Sequence, residues 1–467
     1  MVYLCISDGV CNLLFPRILV CSGDCQKRER CQKLKGGVQF TTMKKRNQFD
    51  VAVIGGGPAG MMAAGRAAEL GARVILVEKN PELGKKLLIT GGGRCNLTNA
   101  ETDARKFIEK LGKNGKFFFS PIAAFGTRQA IDFFEGLGVK TKMEDRKRVF
   151  PVSNDAADVL EALKSYMEKG GVTIATEATA AGFNKKEGRL THLNLRGSEI
   201  EAQAYILATG GRSRPETGAT GEGLKWASAL GHTILNPFPA LVPLKISDGW
   251  VKQTQGLSMD NIEVTLRVNG KKDSVRTGNI LFTHFGMSGP AILDISKRVG
   301  EVLKDKTTEV LLTLDLKPAL SVTQLDERVQ KDFKKYQNKT FRNSLDDLLP
   351  RKLIPAIVMM SQTNPNKPVH EITREDRLRL VKLLKDLRMS PIGLLGFDKA
   401  IASSGGVDLA EVDTKTMRSK ILDNLYFAGD VLDIDAPTGG FNLQLCWSTG
   451  YVAGEAAARQ TVERDEL

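Results

Sequence analysis

Apolar residues recur with two different periods along this chain. Residues 51–54, Val-Ala-Val-Ile, are continuously apolar, as in a strand buried on both faces, and run into Gly55-Gly56-Gly57-Pro58-Ala59-Gly60. From there the period lengthens. Met61, Met62, Ala64, Ala67, Ala68 and Leu70 predict a helix with a small-residue face, ended by Gly71. A second strand is predicted over 73–77, closing on Glu78. Strand, glycine turn, helix and strand form one βαβ unit.

Residues 101–170 read as mainly helical, with Phe117, Phe118, Phe119, Phe133 and Phe134 as core. Within them, 148–151 is extended, and a helix over 155–168 starts at Asn154 or Asp155 and stops at Gly170-Gly171. Strands are predicted at 172–175, 182–185 and 190–195. A further apolar strand over 204–207 runs into Ala208-Thr209-Gly210-Gly211, where a doubly wound sheet would return the chain past its ligand. A helix is expected over 224–230. From 236 the character changes. Pro237, Pro239 and Pro243 interrupt the chain, residues 262–268 alternate up to an Asn269-Gly270 hairpin signal, and strands follow at 278–283 and 309–316. Residues 319–390 are helical in pattern. The last part returns to short apolar strands at 401–407 and 424–428, then a helix from Thr438 to about 458.

The expected fold class is therefore α/β. A two-part Rossmann-like domain, 43–235 and 399–467, is interrupted by an insert over 236–398, with a β barrel at about 236–318 and a helical part at about 319–390. Residues 1–42 are expected to be a disordered extension or a misassigned start, with Met43 as the natural beginning.

Composition changes this picture in three places. No apolar run approaches the roughly 20 residues that span a bilayer, so a soluble, cytoplasmic protein with no membrane partner is expected. Net charge is +13, and 319–390 carries fifteen Lys and Arg against nine Asp and Glu. Such a run reads first as a solvated helix face and second as a surface for a polyanion. Five of the seven cysteines crowd the first 31 residues without a C-x-x-C pair or a histidine, so no metal site is expected.

The glycine turn carries specific chemistry. Gly55 permits the tight turn, Gly57 lets backbone approach a pyrophosphate, and Gly60 allows close helix–strand packing. With Pro58 and Ala59 they place a helix N-terminus at the phosphates. Glu78, at the end of the second strand, is placed to accept from a ribose diol, with Lys79 beside it. A second loop, Gly91-Gly92-Gly93-Arg94-Cys95-Asn96, offers backbone to a flat ligand. Thr209, Gly210 and Gly211 would face the same ligand. Gly429-Asp430 sets a carboxylate beside a chain of hydroxyls, and Gly439, Gly440, Phe441 and Asn442 open the last helix, whose N-terminus favours negative charge.

Together the blocks 55–60, 84–99, 208–211, 283–291 and 430–442 closely resemble the bacterial HI0933-like (BaiN/YhiN-type) flavoprotein family, over almost everything from Phe49 to Gln460. The resemblance implies FAD, with its adenosine and pyrophosphate on Gly55, Gly57, Gly60 and Glu78. It places the ribityl chain on Asp430 and the pyrimidine end of the flavin at Gly439 to Asn442. Only one dinucleotide fingerprint is present, so NADH or NADPH would dock transiently as electron donor.

Reduction of a C=C bond needs a hydride and a proton. Cys95 and Arg94 are candidates for the acid and an anchoring cation, and Cys95 reads equally well as a small packing residue. His284 and Ser288 are candidates for the opposite wall, with loop bracing the stronger reading for His284. The resemblance brings three activities: reduction of uracil in ribosomal RNA to dihydrouridine, reduction of unsaturated steroid or bile-acid ketones, and oxidation of small amines such as aminoacetone. The basic insert favours ribosomal RNA as partner, with a small-molecule substrate as the alternative.

Overall fold

The computed structural model describes residues 48–465; the expectations for residues 1–42 lie outside them. Among the described residues the nucleotide-binding sheet has seven strands. Its five parallel strands run in the order Thr173–Ala175, Val74–Val77, Gln48–Ile54, Ser198–Leu207, Leu425–Phe427. The long strand Ser198–Leu207 serves two neighbours along its outer edge. It pairs antiparallel with Arg189–Leu195 near its start and parallel with Leu425–Phe427 at its end. The continuous apolar run is explained by this position: Val51, Ala52 and Val53 are wholly buried, flanked on both edges and covered by helices.

Two helices lie close against each other over this sheet, Pro58–Glu69 and the closing helix Phe441–Asp465. Small residues permit the approach. A side chain on Gly450 or Gly454 would run into the carbonyl oxygens of Ala59 and Ala63. The helix Ala156–Lys169 begins at Asp155, whose carboxylate accepts from the Ala157 N–H at 2.9 Å.

The chain leaves this domain and returns to it through one antiparallel ribbon, Ile234–Ala240 paired with Ala402–Val407. Pro237 and Pro239 lie inside the first of these strands, where they mark a register shift rather than a break. Between the two crossings lies a seven-stranded antiparallel sheet. Its terminal strands, Leu387–Met389 and Pro391–Leu394, are separated in the chain by Ser390 alone, so the sheet closes on itself. The helices Val322–Lys335, Ile354–Ser361 and Arg374–Lys385 share one apolar core with that closed sheet. Two of them start with capping boxes, Ser321 with Gln324 and Thr373 with Asp376.

One element departs from the helical reading of 101–170. Thr141–Glu144 and Arg148–Pro151 form a hairpin that also pairs with Thr98–Asn99. The first strand is polar and half-exposed, so it carries no periodic apolar signal.

Candidate active site

The first strand delivers Gly55 with φ of +110°, and a side chain there would begin 2.5 Å from the Ala208 carbonyl oxygen. That close approach holds the glycine turn against the end of the return strand. Gly57 differs. Its φ is −80°, and a Cβ would meet nothing within 4 Å, so its α-carbon faces open space. No side chain caps the helix that follows; its first residue, Pro58, has no N–H, and the N–H groups of Ala59 and Gly60 are free of intrahelical partners, while that of Met61 donates to the Gly57 carbonyl at 2.9 Å. Glu78 is nearly buried. Its Oε2 accepts from the Gly56 N–H at 2.7 Å, and its Oε1 accepts from the N–H and side-chain amide of Asn80 at 2.8 and 2.7 Å. A carboxylate has roughly four acceptor positions, so one on Oε2 remains for a ligand hydroxyl.

One cleft joins these groups to Lys86, Thr209, Gly210, Gly429 and Asp430. Thr209 Oγ1 is buried without a hydrogen-bond partner. Lys86, which sequence reasoning passed over, donates to Asp430 Oδ2 at 3.0 Å and to Ser213 at 2.8 Å. It orients the carboxylate expected to meet a hydroxyl chain. Gly211 packs against Ser403, whose hydroxyl accepts from the Arg212 N–H at 3.0 Å.

The second glycine loop lies against the start of the closing helix. Gly91, Gly92 and Gly93 all have positive φ, and Cys95 follows at +56°. With its amide turned so that the oxygen faces the donor and the nitrogen the acceptor, the Asn96 side chain spans the gap to the other loop, donating to the Thr98 carbonyl (3.2 Å) and accepting from the Gly440 N–H (3.0 Å). Asn99 donates to the Gly439 carbonyl at 3.0 Å. Gly440 has φ of +97°, and any side chain on it would collide with the Thr98 backbone. Residues 91–99 and 438–442 are thus locked together, far apart in sequence but adjacent in space. The insert reaches the same place: Asp294, on the helix Pro290–Val302, accepts from the Thr438 N–H at 2.7 Å and from its hydroxyl at 3.1 Å. Burial raises the Asp294 pKa above the usual carboxylate range, opposed by those two hydrogen bonds. Lys297, one turn further on, pairs with Asp435 at 2.7 Å. Neither Asp294 nor Lys297 has a motif that would have marked it in the sequence.

Several candidates take other positions. Cys95 is wholly buried in the core, and burial pushes its thiol up to about 12. It is a packing residue, because the left-handed glycines turn the loop and carry it inward. Arg94 is committed to Glu144 at 2.9 Å and lies over the Phe150 ring, 4.0 Å from its centroid, so it is not a free anchoring cation. Lys79 pairs with Glu222 and donates to Thr220. Asn442 folds back onto its own loop, accepting from the Ala436 N–H and donating to the Ala436 carbonyl. Phe441 is buried against Phe107. His284 is exposed in the turn before Gly286–Ser288, its ring against Phe285, and neither it nor Ser288 lines the cleft. Among the described residues no group of three or more His, Cys, Asp or Glu is placed to hold a metal.

An open glycine, an uncapped helix N-terminus, an acid with a spare acceptor position and a second carboxylate along one cleft fit FAD. The fold and this cradle define an FAD-dependent oxidoreductase. The profile described as the HI0933-like protein Rossmann domain matches residues 49–456, and the chain belongs to that family. It is 32% identical over 412 residues to the 3-dehydro-bile acid delta(4,6)-reductase of Clostridium scindens, covering 88% of this chain and 99% of the relative. It is 30% identical over 410 residues to the ribosomal RNA dihydrouridine synthase of Escherichia coli, covering 87% and 98%. A solved mutant of E. coli quinol fumarate reductase shares the fold at 15% identity, with a TM-score of 0.50 over 89% of this chain and 71% of that one. Among the described residues no helix is long and apolar enough to cross a membrane.

Proposed function

We propose that this protein reduces an electron-poor C=C bond with electrons from NADH or NADPH, and that its substrate is a uracil base in ribosomal RNA. The observation that carries the substrate is on the insert. Its helical part exposes Lys331, Lys334, Arg342 and Arg351, none of them ion-paired among the described residues. Three of the acids near them are engaged, Asp332 with Arg328, Asp347 with Lys335 and Asp326 with Arg377, while Glu327 and Asp346 stand exposed on the same part. Cations left over beside satisfied pairs attract a polyanion. The relative named for ribosomal RNA dihydrouridine synthesis supports the same reading.

FAD, when bound, supplies hydride transfer. The chain's own residues hold the cofactor along the glycine turn, Glu78 and Asp430, and lock its two distant loops through Asn96 and Asn99. With one dinucleotide cradle among the described residues, this reading has the nicotinamide donor bind transiently, the alternative being that electrons arrive by another route. A second reading, reduction of an unsaturated keto bile acid, is favoured by the C. scindens relative.

Replacing Lys331 and Lys334 together by alanine is expected to weaken binding of a ribosomal-RNA fragment. The slope of log affinity against log salt should flatten by about 0.7–0.9 per lost phosphate contact. Filter binding across a salt series measures both quantities. Unchanged affinity and slope would move the substrate to the bile-acid reading.

A further inference from the structure

Where the insert meets the FAD-binding domain, two guanidinium groups converge that no carboxylate neutralises. Arg276 lies on the strand Lys271–Thr283, two residues from Gly278 and therefore on the same face. That face packs against the helix Pro290–Val302: Gly278 lies against Ala291, and Asp273 pairs with Arg298 at 2.8 Å. Arg146 arrives from the other domain, at the tip of the hairpin that follows Thr141–Glu144. Its Nη1 occupies the space a side chain on Gly278 would need, 2.9 Å from where the Cβ would begin. Both arginines are exposed, and both act on Asp294 through space. Neither forms an ion pair with it or with any other carboxylate among the described residues, although Arg276 donates one N–H to the Val275 carbonyl at 2.8 Å. Asp294 instead spends its two oxygens on Thr438.

The hairpin tip is held in an unfavourable conformation. Arg146 and Lys147 are both left-handed, with φ of 60° and 59°, a conformation that L side chains rarely adopt. It persists because it is tied down on both sides. Lys147 pairs with Glu101 at 2.7 Å, and the Asn99 amide donates to the Arg146 carbonyl at 3.1 Å as well as to the Gly439 carbonyl. The amide that fixes the flavin-end glycine loop thus also fixes the loop that carries Arg146. Strain retained at one tip, a glycine notch opposite it and two unpaired cations beside the cofactor loop make a built receptor for an oxygen atom.

We propose that Arg146 and Arg276 form the oxygen-binding end of the substrate site and take the carbonyl oxygen conjugated to the C=C bond that is reduced. The inference rests on the reductase reading above. Hydride addition to the carbon β to that carbonyl drives negative charge onto the oxygen until the α carbon takes a proton from solvent water. The two electrons come from the dihydronicotinamide donor, and the products are the saturated carbonyl and the oxidised nicotinamide. Guanidinium donors brought to the oxygen would favour that charge. Uracil and an unsaturated keto bile acid both present such an oxygen, so the pair serves either source. Asp294 is a positioning residue, acting through Thr438.

The test is calorimetric titration of the FAD-loaded protein with four probes: a uridine-loop RNA hairpin, the same hairpin carrying dihydrouridine, an unsaturated keto bile acid, and its hydroxy counterpart. Arg146→Ala and Arg276→Ala are each expected to weaken binding of the wild type's preferred unsaturated keto probe about tenfold. Gly278→Ala, which displaces Arg146 without touching substrate, should weaken it in the same direction. FAD content and melting temperature of the two arginine variants should be unchanged, and the hydroxy bile acid should bind wild type and variants alike. Bile acid bound in place of RNA, with the variants still losing affinity, would overturn the RNA reading and leave the arginine pair standing. Three results would overturn the pair: variants that bind the keto probe as tightly as wild type, equal losses for the keto and hydroxy compounds, or a wild type that binds neither keto probe.

Discussion

Gly57→Val yields a folded protein without its cofactor. At φ of −80° and ψ of 179° the backbone of Gly57 is extended, a conformation that valine favours, so the substitution adds no strain. No protein atom lies within 4 Å of the position its Cβ would take, so it adds no clash within the chain either. The isopropyl group projects instead into the cleft where a pyrophosphate must lie against backbone. Affinity for FAD should fall by more than a hundredfold, the purified protein should be colourless, and its melting temperature without FAD should match that of the apo wild type. A visible-absorption spectrum and a melt with and without added FAD check each part. A yellow variant would show that the cofactor does not approach this glycine.

Gly60→Val, three residues on, should give the opposite result. A side chain on Gly60 would drive into the Gly55 carbonyl oxygen and meet the Ala208 side chain at 3.4 Å. Neither can move cheaply: Gly55 is itself pressed against the Ala208 carbonyl, and the strands behind both are wholly buried. Overpacking of a rigid crossing costs about 3 kcal/mol or more. The helix Pro58–Glu69 would lose its contact with the first strand and with Gly450 and Gly454 of the closing helix together. The apo variant should therefore melt well below the apo wild type, or fail to accumulate as soluble protein. The pair of variants separates the two uses of glycine in one turn, open approach for the ligand at Gly57 and close packing at Gly60.

Much of this was legible in the sequence, for a physical reason. A strand buried on both faces must be continuously apolar, a helix crossing it closely must carry small residues, and both signals lie within thirty residues of each other. Signals of that kind identified the parallel strands, the glycine turn, Glu78 and Asp430. Partnerships across long stretches of chain left no such trace. Lys86 reads as one lysine among many until the fold sets it 3.0 Å from Asp430. Asp294 and Arg276 fall in stretches to which the sequence pattern assigns no element, and the fold places them on the helix Pro290–Val302 and the strand Lys271–Thr283. Cys95 could be read as an acid or as a packing residue, and the fold decides, because three successive left-handed glycines turn it into the core. Pro237 and Pro239 misled in the other direction, since a two-stranded ribbon with a register shift tolerates prolines that a central strand would not.

The most direct measurement of the central claim uses ribosomal RNA from cells deleted for this gene. The RNA is incubated without oxygen with the FAD-loaded protein and NADH or NADPH, and its nucleosides are weighed by mass spectrometry. A uridine that gains two hydrogens, only with a nicotinamide donor present and not with Gly57→Val, is the predicted result. RNA left unchanged with both donors, by a preparation that reduces an unsaturated keto bile acid under the same conditions, would contradict it.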